Sequence, residues 1–121
     1  FGAALIESGY FESGVTSPET PDAWRPFGGN AAYERSQSPL ILVPSINAAL
    51  RRASLVLIEA NPAHDFFGPQ AAKFVAVLEQ AEVPHRFYAD PLGHSWGAFA
   101  RDTPRMLVEL AKWMADHGAN P

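Results

Sequence analysis

A chain of 121 residues with a 47% hydrophobic fraction is long enough to bury one small apolar core and too apolar to be disordered throughout. Nine Lys and Arg against thirteen Asp and Glu leave a net charge of -4, and the one adjacent basic pair, Arg51-Arg52, makes no stripe for a phosphate backbone, so no nucleic-acid partner is expected. Zero cysteines exclude disulfides, thiolate metal sites and a cysteine nucleophile, and leave cytoplasmic and exported compartments both open.

Phe1 in place of Met, followed at once by the apolar Ala3-Ala4-Leu5-Ile6, suggests numbering that opens inside a longer polypeptide. Residues 2–8 read as a short buried strand closed by Ser8-Gly9. From Tyr10 to Pro44 the pattern dissolves. Pro18, Pro21, Pro26, Pro39 and Pro44 oppose any long regular element, so residues 10–50 are expected to be an excursion within a single domain spanning 1–121. Tyr10, Phe11, Trp24, Phe27 and Tyr33 are too many large rings for a free linker, which predicts that the excursion folds back onto the domain, with a short helix near 45–50.

Ser54-Leu55-Val56-Leu57-Ile58 is apolar without alternation, the pattern of a parallel strand covered by helices on both faces. Gly68-Pro69 then opens a helix over 70–81 with Phe74, Val77, Leu78 and Ala81 on one side. Pro84 to Tyr88 predicts another strand. Thr103 as N-cap and Pro104 in the first turn predict a final helix lined by Met106, Leu107, Leu110, Trp113 and Met114. Two successive strand-then-helix units, with a crossover long enough to join parallel strands, define an α/β fold. No apolar run reaches the length needed to cross a bilayer.

In open parallel sheets the loops leaving the carboxyl ends of the strands gather along one edge. Two such loops carry chemistry here: Asn61-Pro62-Ala63-His64-Asp65-Phe66-Phe67 and Gly93-His94-Ser95-Trp96-Gly97. Acyl transfer needs an imidazole to take the nucleophile's proton and a carboxylate to orient that imidazole, and Asp65 and His94 match those roles in the acid-then-histidine order. The same two residues also suit a loop carboxylate and a hydrogen-bonded turn histidine. Glu59 is the rival acid, although a strand position can turn its side chain into a packed face. Trp96, Phe99 and Phe66 are expected either to cover the last helix or to wall a substrate pocket. Ser8 and Ser95 lie outside any G-x-S-x-G elbow, and neither is assigned as nucleophile. His64 and His94 lack both an H-E-x-x-H arrangement and a third ligand, so no metal is expected.

These residues resemble the esterase branch of the α/β-hydrolases that includes enterochelin esterases, S-formylglutathione hydrolases and bacterial mycolyltransferases. Phe1 to Phe11 looks like the strand after the nucleophile helix, and Asp65-Phe66-Phe67-Gly68-Pro69-Gln70 looks like the acid loop. Gly93-His94-Ser95-Trp96, followed by Pro104 and a terminal helix, is similar to the histidine loop and is the most specific match. Phe27-Gly28-Gly29 and Tyr33 through Leu40 also resemble prolyl-oligopeptidase-like hydrolases, which would change the bond cleaved. The resemblance implies the carboxy-terminal part of an α/β-hydrolase sheet with helices on both faces. It implies a serine esterase or acyltransferase acting on a small-molecule or lipid ester or thioester without any cofactor, with export favoured by envelope-located relatives. The serine elbow would lie upstream of Phe1, in the same polypeptide or a separate chain. Residues 1–121 alone are therefore expected to be inactive, and a noncatalytic binding domain on the same scaffold is the competing expectation.

Overall fold

The computed structural model describes residues 2–9, 11 and 30–118. Tyr10, Trp24 and Phe27, named above for the excursion, lie outside the described residues, as do residues 28–29 of the peptidase-like stretch. The elements run β1 (Ala3–Glu7), α1 (Ala31–Ser36), α2 (Pro39–Ser45), α3 (Ala48–Arg52), β2 (Leu55–Ala60), α4 (Gly68–Gln80), β3 (His85–Ala89) and α5 (Trp96–His117). The three strands form one parallel sheet in the order β1-β2-β3, with Glu7 opposite Glu59 and Ala60 opposite Ala89 at its carboxyl end.

Because successive side chains of a strand point to opposite faces, β2 divides its residues between two helical layers. Ile58 and Ala60 join Phe11, Ala71, Phe74, Leu78, Ala81 and Val83 in one core, with Leu40 and Val43 of α2 packed against it. Leu55 and Leu57 join Met106 on the other face, where Leu110 and Trp113 of α5 cover them. This double cover explains why β2 reads as an unbroken apolar run. Phe11 is the rivet of the excursion: its ring stacks on Phe74 at 4.4 Å, its amide donates to Gln70 Oε1, and its carbonyl accepts from the Ser38 hydroxyl.

Helix ends follow their local chemistry. Asn30 caps α1 and Asn47 caps α3, each accepting a backbone N–H in its first turn. The single helix expected near 45–50 is instead split, with α2 ending at Ser45 and α3 starting at Ala48. α4 closes with the amides of Glu82 and Val83 donating back to Glu79 and Leu78, which places Glu82 in the left-handed region at φ 56. The last helix departs from expectation: it begins at Trp96, not Thr103, and Pro104 sits in its interior. Ser95 is the true cap, its hydroxyl oxygen accepting from the Ala98 amide. That cap supports about two extra turns ahead of the proline, where the buried Ala98 anchors the helix. No helix among the described residues is long and apolar enough to cross a membrane.

Candidate active site

The acid loop is built by a single side chain. Asn61, buried just past β2, accepts the backbone amides of Ala63 at 2.8 Å and His64 at 2.7 Å through Oδ1, and its carbonyl accepts the Asp65 amide at 3.1 Å. The loop then closes on the start of α4, with the Gly68 amide donating to the Asp65 carbonyl at 2.9 Å. Any side chain at Gly68 would overlap the Asn61 carbonyl, so this turn requires glycine.

Asp65 is thereby held with its carboxylate withdrawn from solvent. Oδ1 accepts the Phe67 amide at 2.9 Å, while Oδ2 is buried with no partner among the described residues. His94 faces this carboxylate, with Nδ1 3.7 Å from Asp65 Oδ1. That separation exceeds a hydrogen bond, so the two groups are in close approach without being bonded.

The histidine loop is aimed by a turn. Asp90 Oδ1 accepts the Leu92 amide, and Gly93, at φ 69 in a region that disfavours side chains, rests against the His64 backbone. The two loops therefore run close together, and any side chain at position 93 would meet the His64 carbonyl. His94 itself is half exposed, at 54% for the side chain. Its ring lies 6.0 Å from that of Phe67 and 5.5 Å, edge-on, from that of Phe99. Trp96 stands edge-on to Phe99 at 5.9 Å and is otherwise in solvent, 86% exposed. Phe66 is also exposed and packs edge-on against Phe67. Phe67, not Phe66, is thus the acid-loop aromatic beside the histidine.

Glu59, the rival acid, belongs to a different group. It follows Leu57 on the α5 face and lies within 4.8 Å, through its carboxylate, of Asp90 and Asp102, all three fully buried. Burial, and then the neighbouring charges of Asp90, Asp102, Asp65 and Glu7, push its carboxyl up to about 7. Asp102 is also penalised by burial, but hydrogen bonds from Arg101 and Asp90 and the charge of Arg105 outweigh this and hold it below its usual value. Sequence reasoning gave no hint of Asp102 or Arg101, because the final helix was expected to start at Thr103 and both fell in the connection ahead of it.

Among the described serines, those at 36, 38, 45 and 54 donate to backbone carbonyls and Ser95 caps α5. Ser8, at φ 47 just past β1, is buried with an unpartnered hydroxyl.

Among the described residues, a three-stranded parallel sheet with helices on both faces makes an α/β architecture that matches the sheet-plus-helices arrangement of the α/β-hydrolase fold. Among solved structures, the chain is similar to a ferulic acid esterase at a TM-score of 0.72 and 16% identity, over 93% of this chain and 43% of that one. The chain thus spans less than half of that esterase's length. No family model and no curated protein matches it.

Proposed function

We propose that this chain supplies the acid and the base of a serine esterase or acyltransferase, with the nucleophilic serine contributed from outside residues 1–121. The observation that carries this reading is the pairing of a buried, half-satisfied Asp65 carboxylate with the exposed His94 ring 3.7 Å away at the carboxyl edge of the sheet. A buried carboxylate needs a compensating partner, and an imidazole that becomes positively charged during the reaction is such a partner. With Nδ1 toward Asp65, Nε2 lies across the ring and is free to face a hydroxyl.

In this mechanism His94 takes the serine proton as the oxygen attacks the substrate carbonyl, and Asp65 stabilises the resulting imidazolium. His94 then returns the proton to the leaving alcohol or thiol as its bond to the acyl carbon breaks. Water or another hydroxyl attacks the acyl-serine by the same route. Phe67 and Phe99 hold the ring from two sides, and Trp96 and Phe66 offer apolar surface to an acyl or alcohol group. The likeness to a ferulic acid esterase favours an ester over a peptide bond. No cofactor takes part in these steps.

The reading is tested by hydrolysis of a p-nitrophenyl ester by the polypeptide that carries these residues together with its serine. His94→Ala is expected to lower turnover by about 10³-fold or more. Turnover within a few-fold of the parent would end the triad assignment.

A further inference from the structure

Beneath the two catalytic loops lies a group of charges that the proposed reaction does not use. We propose that Glu59 carries one proton beside Asp90 and Asp102, that this buried group is a latch joining the acid loop, the histidine turn and α5, and that release of the proton loosens the edge of the sheet. The latch does not depend on the triad reading.

The geometry sets the connections. Glu59 is the penultimate residue of β2, two before Asn61, which builds the acid loop. Asp90 ends β3, binds back to β2 through its amide and the Ala60 carbonyl, and forms the turn that delivers Gly93 and His94. Asp102 comes up from α5, with a carboxylate oxygen within 4.8 Å of those of Glu59 and Asp90, and shares Arg101 with Asp90.

Charge balance calls for one proton. Arg101 pairs with Asp90 and Asp102, and Arg105 pairs with Asp102, both arginines reaching in from half-exposed positions. Two guanidinium charges against three carboxylates leave one negative charge uncompensated. Neither Glu59 oxygen has a hydrogen-bond partner among the described residues, and both are buried. The remaining charged groups around Glu59 make its ionisation harder: Glu7 on β1 lies in register with it, and Asp65 lies in the adjoining loop. One proton neutralises the excess. A divalent cation would overcompensate it and would compete for Asp90 and Asp102 oxygens already bound to arginine.

The direction of the pH effect follows. A carboxyl raised from 4.5 to about 7 in the folded state keeps its proton where the unfolded chain has lost it. Its contribution to stability is therefore full below the unfolded value, declines as pH rises between the two values, and is gone above the folded value. Losing the proton leaves a bare buried charge among like charges, and the strain falls on Asp90 and the turn it holds.

Thermal unfolding of the full polypeptide, followed from about pH 5 to pH 8, tests this directly. Tm is expected to fall by roughly 5–10 °C across the range, and Glu59→Gln, which keeps the shape without the charge, is expected to remove most of that slope and to melt higher than the parent at the alkaline end. An unchanged slope in Glu59→Gln would overturn the proposal. Should that variant not fold, infrared difference spectra of the unsubstituted protein with ¹³C-labelled glutamate are expected to show a neutral carboxyl band that vanishes with a midpoint near neutral pH; full ionisation throughout would overturn it. A rise in Tm on adding Ca²⁺, Mg²⁺ or Mn²⁺ at the alkaline end, lost in Glu59→Gln, would identify a cation site in place of the latch. Because Tm is read without substrate, these outcomes are independent of whether His94 is the catalytic base.

Discussion

The two faces of the sheet are built from the same three strands and end differently. Toward α4 the side chains of β2 are apolar to the carboxyl edge, with Ile58 and Ala60 sealed under Phe74, Leu78 and the stacked Phe11. Toward α5 the same strand supplies Leu55 and Leu57, then Glu59, and the helix answers with Met106 and then Asp102. Shifting by a single residue along β2 exchanges a dry core for a buried ionic one. The difference teaches where each kind of stability resides: the α4 face holds the fold at any pH, while the α5 face ties fold stability to protonation directly beneath the loops that carry Asp65 and His94.

This contrast can be broken by substitutions on the α4 face alone. Phe74→Ala removes a side chain only 3% exposed and strands the Phe11 ring, so it is expected to cost about 3–5 kcal/mol in urea unfolding. The slope of stability against pH should stay as in the parent, and a changed slope would mean that the faces are not independent. A smaller effect of opposite sign is expected at Glu82, which holds the left-handed position closing α4. Glu82→Gly should stabilise by about 1 kcal/mol, since glycine accepts that conformation without side-chain strain and the exposed Arg52 pair it loses, at 3.8 Å, is worth little. Denaturant midpoints resolve a change of this size.

How much of this was legible in the sequence differs between scaffold and site. All three strands and the α4 crossover were readable, because apolar runs bounded by Gly and Pro report directly on burial and chain reversal. The start of α5 was misplaced because Pro104 is as compatible with a first turn as with a tolerated interior position, and the Ser95 cap was hidden inside the histidine loop. The two loops bearing Asp65 and His94 could be assigned to one edge from topology. Their contact could not, since it depends on Asn61 folding the acid loop and on Gly93 resting on His64. The charged cluster was invisible. Glu59 differs from an exposed strand residue only by what packs above it, and Arg101-Asp102 fell ahead of a helix expected to start at Thr103, where charged residues read as a solvated connection.

The central claim is that Asp65 exists to hold and charge-balance His94, and labelling kinetics with a fluorophosphonate test it most directly. In the polypeptide that includes the nucleophile, one serine should be modified, and Asp65→Asn should slow that modification by roughly 10³-fold or more while the fold is retained by circular dichroism. Labelling of Asp65→Asn at the rate of the parent would contradict the account.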